Sequence, residues 1–184
     1  MSKVYVCMAQ GLEEVECLAV VDILKRGGVE VELVSMGEEL LVTGSHNIRI
    51  QADSLWSKDA CDACDAIFLP GGMPGTAHLS EHEELGEMIC KFHREGKLLA
   101  AICAAPSVLG KYHCLEGKKA TCYPGWEDKL LGAEHVRDGV VRDGMVITGR
   151  GLGFAIDEGL ELVAALVDRD TAEQVKAAIQ HPEG

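Results

Sequence analysis

Residues 3–35, KVYVCMAQGLEEVECLAVVDILKRGGVEVELVS, decide the predicted fold. An apolar run rich in β-forming residues (3–9) is followed by apolar residues at helical spacing (13–25) and by an alternating run (29–35). A Gly-Gly pair separates the last two runs, as glycines often do where a helix ends. The stretch therefore predicts a strand, a crossover helix and a second strand, which is the repeating unit of a parallel sheet.

The rest of the chain continues this alternation of strands and helices. Two runs, 66–69 and 98–102, are wholly apolar, as strands are when helices cover both faces of a sheet. Ser80 and Glu83 form a capping box that predicts a helix to about residue 94. No linker or repeat interrupts residues 1–184, so we predict a single α/β domain with a doubly wound, mostly parallel sheet and helices on both faces. The other predicted elements are a hairpin (40–42 and 48–51), strands (119–122, 140–141 and 145–148) and helices (from 105, 157–167 and 171–179).

The chain is acidic, with 17 Lys and Arg against 30 Asp and Glu and a formal charge of −13. Such a charge repels phosphate groups, which argues against nucleic acid and anionic membrane surfaces as partners. No apolar run approaches the roughly 18 residues of a membrane span, and the chain starts with a strand-like segment instead of a leader. We therefore expect a cytoplasmic protein that binds neither nucleic acid nor membrane.

Most of the eight cysteines lie in apolar periodic segments, so we predict free thiols and not a disulfide scaffold. Cys61 and Cys64 form a CxxC motif. We interpret the two as surface thiols, because the adjacent Asp62 and Asp65 oppose thiolate formation and no second CxxC or CxxH follows at zinc-finger spacing. A redox pair or half of a zinc site is the alternative.

Cys103 is the predicted nucleophile, because it lies between a buried strand and a helix in AAICAAP (100–106). Ligands of open α/β sheets bind outside the carboxyl ends of the strands. Small residues on both sides allow a sharp turn there, as in a nucleophile elbow. Backbone N–H groups at the start of the helix favour a thiolate and predict a lowered pKa for Cys103. The alternative is a buried cysteine that acts as a small hydrophobic residue.

Glu16 is the predicted proton-transfer group. Glu13 and Glu14 are expected to lie at a solvated helix start, whereas the apolar neighbours of Glu16 should carry it inward. A carboxyl group held near a thiol in a crevice can exchange protons with a substrate, and desolvation should raise its pKa.

A glycine-rich turn follows the predicted strand 66–69. Gly71 and Gly72 have no Cβ atoms, so their backbone N–H groups can approach a ligand closely. Together with the N–H of Ala104, they are expected to form an oxyanion hole.

Four motifs in order resemble the ThiJ/PfpI superfamily, in the branch of the parkinsonism-associated deglycase. They are GLEEVE (11–16), LPGGMPG (69–75), AAICAAP (100–106) and TGRGLG (148–153), and the resemblance spans nearly the whole chain. It implies a flavodoxin-like fold, a homodimer, a reactive Cys103 and a protonated Glu16 that hydrogen-bonds to this cysteine. It also implies glutathione-independent glyoxalase or deglycase activity, sensing of oxidative stress through cysteine oxidation, and chaperone-like protection.

Three positions depart from the patterns of this superfamily. Ala104 stands where the protease branch has a histidine, so proteolysis is not predicted. Tyr123 stands where the deglycase branch has a histidine, and a tyrosine is a poor general base near neutral pH, which leaves it an accessory role as a hydrogen-bond donor. His46 stands where a basic residue is often found, and it is a second accessory candidate.

The leading hypothesis is a cytoplasmic enzyme that acts on α-oxoaldehydes such as methylglyoxal. Cys103 would add to the aldehyde and Glu16 would shuttle protons, with no metal ion and no organic cofactor. The expected partners are the small aldehyde and a second copy of the chain. The alternatives are a non-enzymatic sensor that works through oxidation of Cys103, and a protein-protection module.

Overall fold

The computed structural model describes residues 1–182 as one α/β domain. The strands are β1 (Lys3–Met8), β2 (Glu30–Ser35), β3 (Leu41–Thr43), β4 (Arg49–Gln51), β5 (Ser54–Leu55), β6 (Ala66–Leu69), β7 (Leu98–Ile102), β8 (Lys119–Ala120), β9 (Glu134–His135), β10 (Val140–Asp143) and β11 (Val146–Gly149). The helices are α1 (Glu14–Arg26), α2 (Lys58–Asp62), α3 (Gly75–Glu81), α4 (Glu83–Glu95), α5 (Pro106–Lys111), α6 (Ala155–Leu166) and α7 (Arg169–Ala178). Two short 3₁₀ helices cover Glu127–Lys129 and Leu152–Phe154.

The central sheet has seven strands in the order β10-β11-β7-β6-β1-β2-β5. Each neighbouring pair is parallel except β10 and β11, which are antiparallel. The predicted α/β class with a mostly parallel sheet is therefore confirmed. The hairpin β3-β4 and the pair β8-β9 stand outside this sheet.

Two buried clusters, one on each face of the sheet, form the core. Side chains of β1 alternate between them, because successive residues of a strand point to opposite faces. Val4 and Val6 join the cluster that contains residues of α1, α6 and α7, whereas Tyr5 and Cys7 join the cluster that contains residues of α3, α4 and α5. Helices on both faces explain why β6 and β7 are apolar throughout.

Two predicted elements differ from the structure. The helix expected from Ser80 to about residue 94 begins only at Glu83, because Ser80 lies in α3 and the extended backbone of His82 separates α3 from α4. The side chain of His82, and not that of Ser80, caps α4 by accepting a hydrogen bond from the N–H of Leu85. The strand expected over 119–122 is only Lys119–Ala120, and it pairs with β9 outside the main sheet.

The interpretation of the CxxC motif as surface thiols is wrong. Cys61 and Cys64 are both buried, since α2 packs their side chains into the core cluster that also contains Cys7. Burial raises the pKa of Cys61 to about 12 and that of Cys64 to about 11. Both side chains are almost completely inaccessible to solvent, so reagents in solution cannot reach these thiols in the folded protein.

None of the helices within residues 1–182 combines the length and the apolar character that crossing a bilayer requires.

Candidate active site

The candidate site lies where four neighbouring parallel strands end. β1, β6, β7 and β11 are adjacent in the sheet, and their carboxyl ends lead into the segments that carry Glu16, Gly71, Cys103 and Gly149. The crevice outside such strand ends is the usual ligand site of an open α/β sheet. The fold thus brings three sequence-predicted groups and one further residue to a single edge.

Cys103 lies on a strained turn immediately after β7. Its φ angle is +64°, a left-handed conformation that costs a non-glycine residue roughly 1–2 kcal/mol. Two hydrogen bonds hold this turn, because the Cys103 N–H donates to the carbonyl of Gly149 at 2.9 Å and its own carbonyl accepts from the N–H of Tyr123 at 2.8 Å. Helix α5 begins only at Pro106, so the thiol precedes the helix by a short turn and does not lie within its first turn.

Glu16 points inward from the first turn of α1, as its apolar neighbours predict. It is buried, with 1% of its surface exposed, and one carboxylate oxygen accepts a hydrogen bond from the N–H of Gly71 at 3.1 Å. Glu13 fixes the start of the helix, because its side chain accepts a 2.6 Å hydrogen bond from the N–H of Glu16.

Glu16 and Cys103 meet across Gly71. A Cβ atom at Gly71 would overlap the Oε2 atom of Glu16 and would lie 2.6 Å from the Cβ of Cys103. A glycine is therefore required for the carboxyl and thiol side chains to approach each other. Each of these two side chains shifts the pKa of the other, as a neighbouring thiol and carboxyl group do.

Burial raises the pKa of Glu16 to about 7, and the charge of Glu13 adds to this rise. The hydrogen bond to Cys103 and the backbone N–H groups of Gly71 and Leu152 act in the opposite direction. The raised pKa that we expected for Glu16 is thus present. It places the carboxyl group where it can both give and take a proton near neutral pH.

The pKa of Cys103 differs from the sequence prediction. Burial and the charge of Glu16 raise the pKa of Cys103 to about 12, although the backbone N–H groups of Ala104 and Gly72 lower it. An ionised Glu16 therefore opposes a thiolate on Cys103. A thiolate forms readily only when Glu16 holds the proton, so the two groups share one proton above the pKa of Glu16.

The three expected oxyanion donors do not behave alike. The N–H groups of Gly72 and Ala104 lower the pKa of Cys103, so they favour negative charge on its sulfur. The N–H of Gly71 is instead bound to Glu16. Two backbone N–H groups, those of Gly72 and Ala104, would thus stabilise negative charge at the sulfur. The N–H of Gly71 instead positions the carboxyl group of Glu16.

Tyr123 borders the site, whereas His46 does not reach the thiol. Tyr123 contributes its backbone N–H to the Cys103 turn, and its side chain is half exposed. The ring Nδ1 of His46 lies 2.9 Å from Oε2 of Glu14, and its backbone N–H donates to the other oxygen of Glu14 at 2.8 Å.

Glu13 and Glu14 are both buried, contrary to the expectation of a solvated helix start. Burial opposes the ionisation of Glu14, but hydrogen bonds from the ring and the backbone of His46 outweigh it, so the pKa of Glu14 is lowered. The hydrogen bond to Glu14 and the negative charge of Glu14 raise the pKa of His46. The hydrogen bonds between Glu14 and His46 thus join the start of α1 to the β3-β4 hairpin.

Within residues 1–182, one set of three side chains brings metal-ligating atoms together, namely Glu13, Glu14 and His46. These atoms already bind one another or the backbone of Glu16. The cap of α1 and the hydrogen bonds between Glu14 and His46 therefore account for this set without a metal ion.

Sequence reasoning missed one residue at this edge, Glu158 of α6. It is fully buried, and its carboxyl group lies against Gly149 at the end of β11. The buried residues Ala155, Leu162 and Val163 of the same helix recur at helical spacing around position 158, so the pattern already placed this glutamate on the inner face.

The DJ-1/PfpI family matches residues 2–165. The chain belongs to this family. DJ-1 homolog B of Arabidopsis thaliana is 37% identical over 179 residues, which cover 96% of this chain and 41% of the plant protein. Protein dj-1beta of Drosophila melanogaster is 34% identical over 172 residues, which cover 92% of both chains. The chain thus spans less than half of the plant relative but nearly all of the insect relative.

Solved structures of the family have the same fold. Oxidised DJ-1 of Toxoplasma gondii superposes with a TM-score of 0.93 at 31% identity, with all of both chains covered. The flavodoxin-like, single-domain architecture is therefore confirmed.

The family also contains enzymes. An isonitrile hydratase of Pseudomonas putida is 34% identical over 142 residues, which cover 76% of this chain and 61% of the hydratase.

Proposed function

We propose that this protein is a cysteine-dependent, glutathione-independent enzyme of the glyoxalase or deglycase type that acts on α-oxoaldehydes such as methylglyoxal. One observation carries the proposal: a buried carboxyl group with a pKa of about 7 lies beside a thiol on a strained turn. The pair combines a nucleophile with a group that can transfer protons near neutral pH.

The reaction needs no external oxidant. The sulfur of Cys103 adds to the aldehyde carbon as the thiol proton moves to the carboxylate of Glu16, and Glu16 then passes this proton to the hemithioacetal oxygen. Glu16, again a carboxylate, removes the hydrogen from this carbon and delivers the same proton to the neighbouring carbonyl carbon. The hydroxyl proton of the first carbon passes to the oxygen of the second. The first carbon is oxidised to a thioester and the second is reduced to an alcohol, so the electrons balance within the substrate.

Water then hydrolyses the thioester, releasing lactate from methylglyoxal and restoring the thiol of Cys103. The backbone N–H groups of Gly72 and Ala104 lower the pKa of Cys103, which supports a role for them in stabilising negative charge at the sulfur. Glu16 thus carries the protons that move at the sulfur and at the two carbon atoms in this scheme. Proteolysis is not part of the proposal, because Ala104 offers no imidazole beside the thiol.

The test is the formation of lactate from methylglyoxal by the purified protein without glutathione. We expect Cys103→Ser to abolish turnover and Glu16→Gln to lower it by roughly 10²-fold or more, as the loss of a general acid or base does. Cys90→Ser is the matched control, because Cys90 is a partly buried thiol on α4, outside the site. Full activity of Cys103→Ser would exclude the proposed mechanism.

The second candidate function is a redox sensor, and the same geometry favours it. A protonated Glu16 and the N–H groups of Gly72 and Ala104 could bind the oxygens of a sulfinate formed at Cys103. Selective oxidation of Cys103 by peroxide, seen by mass spectrometry without any turnover of methylglyoxal, would favour the sensor. Protection of client proteins that persists in Cys103→Ala would favour a binding-only module.

A homodimer and a cytoplasmic location belong to the same proposal. Helix α1 leaves Val15 and Leu18 exposed on the described chain, which gives it an apolar outer surface. We expect light scattering to show the mass of a dimer at micromolar concentration, and a monomer mass would contradict this part of the proposal. Cell fractionation tests the location.

A further inference from the structure

Glu158 is a buried carboxyl group for which the proposed mechanism has no use. It lies in the first turn of α6, and its side chain is completely inaccessible to solvent. Neither carboxyl oxygen has a hydrogen-bond partner among residues 1–182. A buried carboxylate without a partner is costly, so such a group is normally either functional or uncharged.

Gly149 provides the space that this carboxyl group fills. A Cβ atom at Gly149 would overlap the Oε2 atom of Glu158 and would lie 2.9 Å from the Cγ1 of Ile102. Ile102 is the last residue of β7 and pairs with Gly149 in the sheet. The carboxyl group of Glu158 thus packs on Gly149, which lies beside the end of β7 that leads into the Cys103 turn.

The same strand end holds the nucleophile in place. The carbonyl of Gly149 accepts the hydrogen bond from the N–H of Cys103 at 2.9 Å, and Cys103 has the strained φ angle of +64°. Displacement of Gly149 would therefore loosen a turn that is held against its intrinsic preference. Glu158 supports this turn from the core side.

The charge state of Glu158 follows from its surroundings. Helix α6 packs against α1, α7, β7, β10 and β11, and the charged group among these elements that acts on Glu158 is Glu16. Burial and this charge of the same sign raise the pKa of Glu158 well above its ordinary value. Burial without a hydrogen-bond partner therefore favours the neutral acid, and ionisation of Glu16 favours it further.

We propose that Glu158 is a positioning residue of the Cys103 site: as an uncharged acid packed on Gly149 it supports the Cys103 turn, and by staying uncharged it lets Glu16 exchange its proton. The second half of this inference rests on the proposed function, whereas the first half rests on packing alone. Both halves are tested below without methylglyoxal, so their failure is distinguishable from failure of the proposed activity.

The uncharged state is tested by unfolding wild type and Glu158→Gln across a range of pH. Glutamine has the same size but never ionises, and Glu16 behaves alike in both proteins. Because the pKa of Glu158 is raised above its ordinary 4.5, wild type should lose stability relative to the variant as pH rises. We expect the ratio of their unfolding constants to change by roughly tenfold for each pH unit above about 4.5, continuing beyond pH 7.

The matched control for this experiment is Asp157→Asn, at the neighbouring, partly exposed carboxyl group. It should not reproduce the pH-dependent ratio. A ratio for Glu158→Gln that is independent of pH would show an ionised Glu158 and overturn the proposal. The pH midpoint of Cys103 alkylation gives a second test, because a fall of one pH unit or more in Glu158→Gln would mean that a charge on Glu158 had been acting on Glu16.

The support of the turn is tested with Gly149→Ala, which places a methyl group where the carboxyl group lies. We expect this variant to slow the alkylation of Cys103 by iodoacetamide roughly 10-fold or more, since small displacements of a reactive group have large effects on rate. Adding Glu158→Ala should restore much of the rate by freeing the space. Gly153→Ala is the control, because a Cβ atom at Gly153 meets no atom within 4 Å.

These outcomes distinguish support of the Cys103 turn by Glu158 from simple contact between Glu158 and Gly149. If Gly149→Ala slows alkylation equally with and without Glu158→Ala, the two residues are not coupled and the proposal is overturned. If Gly149→Ala fails to fold, recovery of folding in the double variant supports the packing argument, and failure in both proteins contradicts it.

Discussion

Replacing Glu16 by glutamine should stabilise this protein while damaging its chemistry. Burial raises the pKa of Glu16 from its ordinary 4.5 to about 7. At about 1.4 kcal/mol for each pKa unit, this rise corresponds to roughly 3 kcal/mol that the folded state loses when the carboxyl group must ionise. Glutamine avoids this cost and can still accept the hydrogen bond from the N–H of Gly71.

The sign of the effect sets its pH dependence. Below about pH 4.5 the carboxyl group is protonated in both the folded and the unfolded chain, so its ionisation costs nothing. Between 4.5 and about 7 the unfolded chain releases its proton while the folded chain retains it, and wild type becomes progressively less stable than Glu16→Gln. Above about pH 7 the difference should level off near 3 kcal/mol, because Glu16 is then ionised in both states.

The assay is chemical denaturation and thermal unfolding of both proteins at several pH values. A gain of roughly 3 kcal/mol should raise the melting temperature by about 6–12 °C in a domain of this size. We expect no comparable gain at about pH 4, where neither state is ionised. A variant that is no more stable than wild type at about pH 8, or equally stabilised at both pH values, would refute the argument from burial.

Three further predictions follow from the same geometry. Gly71→Ala should lower lactate formation by roughly 10²-fold, because its methyl group would force Glu16 and Cys103 apart; an active variant would contradict the required close approach. Cys103→Gly should be more stable than Cys103→Ala by about 1 kcal/mol in thermal unfolding, since only glycine adopts a positive φ angle without strain; equal stabilities would argue against a strained turn. Glu14→Gln should destabilise the protein near neutral pH by roughly 1–3 kcal/mol, because it removes the negative charge and one of the two acceptor oxygens that bind His46. The lowered pKa of Glu14 means that this stabilisation is present above its ordinary 4.5 and is lost as pH falls through the folded value, so acid denaturation curves should converge.

Much of the fold could be predicted from local patterns. The apolar runs of β1, β6 and β7 and the helical spacing in α1 indicated a parallel sheet with crossover helices, and the structure agrees. These predictions succeed because periodicity and burial are repeated over many residues. The break at His82 was missed because it depends on one extended backbone conformation and one side-chain cap.

The candidate site was predictable in part, through residues that follow strand ends. Cys103, Glu16 and Gly71 were placed at one edge because the carboxyl ends of parallel strands meet there. The charge states were not predictable to the same degree. The position of Cys103 before a helix suggested a lowered pKa. Its burial and the charge of Glu16 instead raise the pKa.

The amino-acid sequence by itself determined the order of strands and helices, the glycines that allow close approach and the side chains available for chemistry. Those properties are local, because they depend on the conformational preferences of neighbouring residues. Only the tertiary structure decided which groups share a proton and which carboxyl group is left without a partner. Glu158 lies far along the chain from Glu16. Only the packing of α6 on α1 brings its carboxyl group close enough for the charge of Glu16 to raise its pKa. Desolvation and charge coupling depend on distances between such remote segments, and no local pattern contains those distances.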